Sequence, residues 1–428
     1  MPTTALELTK HPCFHEEARG VCGRVHLPVA PACNVKCNYC DRRYDCANES
    51  RPGVASAVLS PVQALRYLER VVEQELRLSV VGIAGPGDPF ANPDETLETL
   101  RGVRERYPQM LLCVSTNGLA LPAHLDAVAA LGVSHVTVTV NAVDPRIGQK
   151  IYAWAKDGKV IHRNLSAAEL LLGRQLVAVR GLAERGIAVK VNTVVIPGVN
   201  EDHVPKVART VAALGAAVHN CMAMVPNTGT PFADLPEPTP ARIAALRELA
   251  GAHLPQMRHC QRCRADAVGL LGEDRSGELA GLLEACAGEL PLSTEGRPYV
   301  AAATQEGVLV NRHLGEADRF QVWGPAPGGG FRLVEERDAP APGGGPERWR
   351  ELARVLADCR AVLVSGVGEG PRALLEDAGV LPVEMGGFIE LGLQAVYAGK
   401  GVAVLKRRGS GAGCSRGTQC RGDGTGCG

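Results

Sequence analysis

Up to about residue 265 the chain alternates short runs of β-branched and apolar residues with longer stretches in which Ala, Leu and Arg recur at helical spacing. The runs at 80–84, 111–115, 135–140, 188–195 and 217–224 predict strands. Between them, 60–76 and 122–131 predict helices, the first opened by a Ser-Pro pair suited to an N-cap and first turn. Strand and helix in repeated turn predict an α/β fold, a partial TIM-type (βα) barrel of about six units whose site lies at the C-terminal ends of the strands.

Past Asp266 the pattern predicts a helical stretch to about 288 and a linker over 289–297, after which short strands restart at 299–302, 308–311, 319–322 and 331–335. A helix over 348–358 and a buried strand over 361–364 follow. Gly/Pro clusters at 325–330 and 339–346 read as hairpin and loop insertions. The expected organisation is a barrel over 1–275, a helix and linker over 276–297, a small α/β domain over 298–405, and a Gly-rich tail over 406–428 carrying Cys414, Cys420 and Cys427. The tail is too poor in apolar residues to fold by itself.

A length of 428 residues exceeds what one core usually serves, which agrees with two domains. Lys plus Arg and Asp plus Glu number 46 each, so no net field recruits nucleic acid or an anionic membrane, and neither is expected as a partner. No stretch approaches the roughly 20 apolar residues of a membrane span and no signal peptide opens the chain, so a cytoplasmic protein is expected. In a reducing compartment 15 cysteines, clustered rather than spread, read as metal or cluster ligands and not as disulfides.

The cysteines concentrate the chemistry. Cys33, Cys37 and Cys40 form a C-x3-C-x2-C loop with Tyr39 before its last Cys, which supplies three thiolates to a four-iron cluster and leaves one iron open to a substrate. Electron-carrying clusters use four. Gly82–Pro89 follows a strand, and Gly85 and Gly87 leave backbone bare where a ligand approaches closely; an ordinary βα turn would look the same. Ser115, Thr116 and Asn117 end the next strand, Asn141 and Asp144 follow another, and Asn192 lies in the one after. Such polar groups bind carboxylates or ribose hydroxyls, or cap turns. Further candidates are His26, seven residues before Cys33, together with Cys13, Cys46, Cys113 and the pair Cys260-x2-Cys263. Cys113 read alone is also a small buried hydrophobe, Cys260 and Cys263 read alone make half of a zinc site, and Cys221 and Cys359 read as core residues.

The loop resembles that of the radical S-adenosylmethionine (SAM) enzymes. Beyond it, HPCFHEEA at 11–18, the run 23–54, GIAGPGDPFA at 82–91, STNGL at 115–119, TVTVNAVDP at 137–145, VNTVVIPGVN at 191–200 and CQRCRADAVGLLGED at 260–274 resemble, in order, the nitrogenase cofactor maturases of that superfamily. Residues from about 297 to 399, with Asn311-Arg312-His313-Leu314-Gly315, are similar to the NifX-type, RNase H-like domain that binds nitrogenase cofactor intermediates.

The resemblance implies that Cys33, Cys37 and Cys40 hold the radical cluster, that Gly85, Gly87, Ser115, Thr116, Asn117, Asn141, Asp144 and Asn192 surround SAM, and that two further [4Fe-4S] clusters bind nearby. Carried over by position, His26, Cys260 and Cys263 hold one of these and Cys13, Cys46 and Cys113 the other; Cys22, close to His26, departs from the expected pattern. The implied reaction fuses the two clusters into an [8Fe-9S-C] precursor around a carbide derived from SAM, with a ninth sulfur from outside. Implied partners are iron–sulfur cluster donors, an electron donor such as ferredoxin or flavodoxin, and downstream cofactor carriers. In the small domain, His313 is a candidate product contact or an exposed loop residue. The rival readings are a radical maturase with another product and a non-catalytic iron–sulfur scaffold.

Overall fold

The computed structural model describes residues 8–41, 55–74, 77–260, 263–290, 292 and 296–399. Cys46 and the three tail cysteines lie outside the described residues. Contacts divide the chain between Ala287 and Gly288 into two compact units.

In the first unit six strands run parallel in chain order: β1 Gly23–His26, β2 Leu78–Ile83, β3 Leu111–Thr116, β4 Val133–Thr139, β5 Ala188–Val195 and β6 Val218–Ala223. Helices such as α1 Pro61–Gln74, α2 Pro93–Arg106, α3 Leu125–Ala130, α4 Asn164–Glu184 and α5 Val204–Ala212 return the chain between them. The sequence dictates this locally. In α1 the residues Ala64, Leu65, Leu68 and Val71 fall on one face and are buried. Its start is a reciprocal cap, with the Gln63 side chain accepting from the Ser60 N–H at 2.8 Å and the Ser60 hydroxyl accepting from the Gln63 N–H at 3.4 Å. The outward side chains of the strands, among them Val25, Val81, Leu112, Val114, Val136, Val138, Val189 and Val191, pack with the helices into one apolar core. Their alternate neighbours face the barrel interior, and that parity builds the site.

The parallel sheet does not close on itself. Its β1 edge is extended by an antiparallel hairpin, Val268–Leu270 and Glu273–Asp274, in register Arg24↔Gly269. The expected continuous helix from 266 therefore begins only at Ser276. Gly269 and Gly272, at φ +101° and +97°, allow the tight turn that replaces the first part of it. A separate three-stranded sheet joins Val35–Cys37, inside the cysteine loop, to Tyr152–Asp157 and Val160–Arg163.

The second unit has a five-stranded sheet in the spatial order Phe331–Asp338, Arg319–Pro325, Tyr299–Ala302, Cys359–Val364, Leu381–Glu384. The first three are antiparallel and the last two join in parallel, giving the mixed sheet of RNase H-like domains. The strand expected at 308–311 shortens to Leu309–Val310 and pairs with Gly387–Phe388 outside that sheet. Among the described residues no helix is long and apolar enough to cross a membrane.

Candidate functional site

The cysteine loop is braced on every side. Before it, Ala30 bridges to Pro86, and the Ala32 carbonyl accepts from the Asp88 N–H at 2.7 Å and from the Asn92 side chain at 2.9 Å. Gly87 is required there, because a Cβ would stand 1.9 Å from the Ala32 carbonyl oxygen. Within the loop, Asn38 N–H donates to the Ile151 carbonyl at 2.8 Å. The buried Tyr39 hydroxyl accepts from Asn141 Nδ2 at 2.9 Å, and its carbonyl accepts from Asn227 Nδ2 at 3.1 Å. Burial, with the Cys37 sulfur nearby, keeps the Tyr39 phenol well above its ordinary pKa. Asn117 Nδ2 donates to Asn34 Oδ1 at 2.8 Å and lies 3.8 Å from Cys33 Sγ. Cys33 and Cys37 are half-buried and Cys40 is buried. Three soft sulfur donors on one braced turn fit an iron–sulfur cluster, and the donor chemistry is right for iron.

A second constellation lines a cavity of about 670 Å³, open mouth included. It gathers His11, Cys13, Arg24, His26, Gly82, Cys113, Ser115, Lys190, Asn192, Cys260 and Cys263. Strand register explains most of it. His26, Gly82, Cys113 and His135 are successive partners across β1 to β4. One step further on, Ser115, Thr137 and Lys190 are partners across β3 to β5, and beyond them Thr139, Asn192 and Asn220 across β4 to β6. Gly82 makes room for the imidazole, since a Cβ there would meet His26 Cδ2 at 2.8 Å.

His26 Nδ1 stands 2.8 Å from the Arg264 carbonyl, which only accepts, so that nitrogen carries the proton and Nε2 keeps its lone pair. Burial, then Arg24, lowers its pKa to about 4, so the ring is neutral at physiological pH. Burial pushes the Cys113 thiol up to about 12, with Cys13 adding to the rise. It does the same to Cys263, against the pull of Arg24. A cation that displaces these protons is bound in a pH-dependent way. Arg24 is itself buried: it donates to the Gly269 and Leu270 carbonyls at 2.6 and 2.9 Å, to Asp274 at 2.8 Å and to Cys263 Sγ at 3.3 Å. Burial opposes its charge, but Cys263 and Asp274 hold the pKa above its ordinary value. Among the described residues no three His, Cys, Asp or Glu side chains converge as they would on a single metal ion.

Of the residues singled out in the sequence, Cys13, His26, Cys113, Cys260, Cys263, Ser115 and Asn192 thus come together in one cavity. Gly85 and Gly87 sit in the turn under the cysteine loop, Gly85 O accepting from Ala30 N at 3.3 Å. Thr116 and the Asn117 N–H bond the buried Asp88 carboxylate, at 3.0 and 2.6 Å. Asn141 ties β4 to the loop and to Val194 N–H. Asp144 caps the helix Pro145–Ile151, accepting from Arg146 N–H at 2.9 Å. Sequence reasoning gave no role to His11, Arg24 or Lys190, which stand in the cavity wall. Period two in β5 was the available signal for Lys190, which shares a face with Asn192; Arg24 likewise stands two positions before His26.

The Radical SAM superfamily matches residues 27–211, and the family described as Dinitrogenase iron-molybdenum cofactor matches residues 297–399. The barrel and its cysteine loop thus define a radical SAM protein, with SAM and a [4Fe-4S] cluster as that class's cofactors. The "FeMo cofactor biosynthesis protein NifB" of Chlorobaculum tepidum is 50% identical over 99% of both chains. That of Frankia alni is 40% identical over 93% of this chain and 89% of its own. The chain belongs to the NifB family of FeMo cofactor biosynthesis proteins. Among solved structures it is similar to the FeFe-hydrogenase maturase HydG from Carboxydothermus hydrogenoformans, at 12% identity, covering 58% of this chain and 55% of that one with a TM-score of 0.40.

Proposed function

We propose that this chain fuses two [4Fe-4S] substrate clusters, with insertion of a SAM-derived carbide and one added sulfur, into an [8Fe-9S-C] precursor of the nitrogenase cofactor. The observation that carries the reading is the convergence of Cys13, His26, Cys113, Cys260 and Cys263, from four separate stretches of chain, on one cavity beside the barrel strands. When bound, the cluster at Cys33, Cys37 and Cys40 would pass an electron from the external donor to one SAM, giving methionine and a radical that leaves as 5′-deoxyadenosine with one hydrogen of the methyl that a second SAM, leaving as S-adenosylhomocysteine, had given to a sulfide; the other two hydrogens would leave as protons.

The chain's own groups hold and orient. His26 presents Nε2 to one substrate cluster, together with Cys260 and Cys263, whose thiolate charge Arg24 offsets. Cys13 and Cys113, electrostatic neighbours, face the other, with Cys46 as their third partner. Ligation of each cluster by three residues leaves iron available for fusion. In the second unit, His313 Nδ1 accepts from Gly315 N–H at 3.1 Å, so Nε2 carries the ring proton and donates to a sulfide of the product. Cluster donors, an electron donor such as ferredoxin or flavodoxin, and downstream cofactor carriers are the partners this reaction requires.

The test is anaerobic reconstitution followed by reduction with SAM. About twelve irons per chain and release of both S-adenosylhomocysteine and 5′-deoxyadenosine are expected. About four irons, with 5′-deoxyadenosine as the sole nucleoside product, would overturn the proposal.

A further inference from the structure

Lys190 is only 7% exposed, yet its ammonium has as contacts the Met257 thioether at 3.8 Å and the Phe14 ring face at 5.3 Å. Among the described residues it forms no ion pair. Taking an ammonium out of water without an anion to meet it is strongly unfavourable. A neighbour shares the predicament. His11 is 2% exposed, and its Nδ1 accepts from the Cys13 N–H at 3.2 Å, so Nε2 carries the ring proton. That buried N–H meets no acceptor among the described residues. Both side chains line the cavity with Cys13 and Cys113.

Arg24, on the Cys263 side, is different: its terminal nitrogens are committed to two carbonyls, Asp274 and the Cys263 sulfur. One side of the cavity therefore carries a cation matched by the protein, and the other a cation and a donor with nothing to match them. We propose that Lys190 and His11 are a donor pair for an anionic iron–sulfur body at the Cys13–Cys113 side, offsetting its charge and hydrogen-bonding its sulfides. This rests on the cluster-fusion reading above. Cluster potential depends on net charge and on hydrogen bonds to the sulfurs, so the pair raises the potential of the cluster it faces relative to the same cluster without it. Both are positioning residues, acting on the cargo and not on the reacting carbon.

The experiment is an EPR-monitored redox titration of the anaerobically reconstituted full chain, with SAM added to mark the signal of the Cys33–Cys40 cluster. Lys190→Met matches the Met257 wall in shape and removes the charge; His11→Phe removes the donor. Each variant is expected to shift one of the signals that SAM leaves unchanged to a more negative midpoint, and to lose part of its iron faster to a chelator. Lys190→Met should also melt at a higher temperature than the wild-type chain when both are iron-free, since a buried unmatched charge is gone. Unchanged midpoints and chelation rates, or a lower melting temperature for iron-free Lys190→Met, would overturn the proposal. A wild-type chain that binds only about four irons would instead sink the cluster-fusion reading beneath it.

Discussion

The cysteine loop and the cavity assemble iron ligands in opposite ways. In the loop, Cys33, Cys37 and Cys40 fall within eight consecutive residues, and the rest of the fold only braces them. In the cavity, strand register aligns His26 with Cys113, while Cys13 and the Cys260/Cys263 pair reach it on non-strand segments from distant parts of the chain. Damage to the first should abolish one activity outright, whereas damage to the second should remove cargo while the radical chemistry survives.

The sharpest break is Cys37→Ala. Loss of one of three thiolates should abolish 5′-deoxyadenosine formation, measured by chromatography under reducing conditions; retained cleavage would dissociate the loop from the radical cluster. Cys263→Ala should spare that cleavage, lower bound iron by about a third, and stop precursor formation. If precursor output stayed at the wild-type level, the second site would be misassigned. Gly82→Ala works through geometry alone. The new Cβ lies 2.8 Å from His26 Cδ2, so the imidazole must move, at a stability loss of about 1–3 kcal/mol by chemical denaturation and with iron lost at the cavity but not at the loop. An unaltered iron content would separate His26 from ligation.

The smallest effect is one of pH on the iron-free chain. Burial holds the pKa of His26 at about 4 and of His135 at about 3, against about 6.5 for an unfolded histidine. A depressed histidine contributes fully above the unfolded value and loses that contribution as pH falls toward the folded one, so stability should decline between pH 6.5 and 4. The decline is up to about 1.4 kcal/mol per pH unit for each group. Melting temperatures at pH 7.5 and 5 check it, and His135→Phe should blunt the fall. Equal melting temperatures would show that these rings are not held neutral.

The same contrast explains what could be read from sequence. Five of the six barrel strands and the loop were legible because each is a local signal: β-branched runs such as 188–195, and three cysteines at fixed spacing. The membership of the NifX-type domain was legible through its similarity. Four-residue β1 escaped notice, as did the hairpin at 268–274, whose two short strands are held by Arg24 and glycine turns and show no periodicity of their own. Lys190 hid for a related reason. A lysine in a strand ordinarily signals a solvated face, and only the parity shared with Asn192 turns it inward.

The row formed by His26, Gly82, Cys113 and His135 works as a ruler. Neighbouring strands lie about 4.8 Å apart, so the backbone positions of His26 and Cys113, with a bare glycine between them for the imidazole to lean over, are set roughly 10 Å apart by backbone hydrogen bonding alone. Lengthening or shortening the connecting loops leaves that span untouched, whereas a one-residue slip of β2 would put a valine or an isoleucine where the imidazole now leans. The spacing of this pair is therefore set by the sheet, and variation can accumulate in the helices that return the chain between strands without disturbing it.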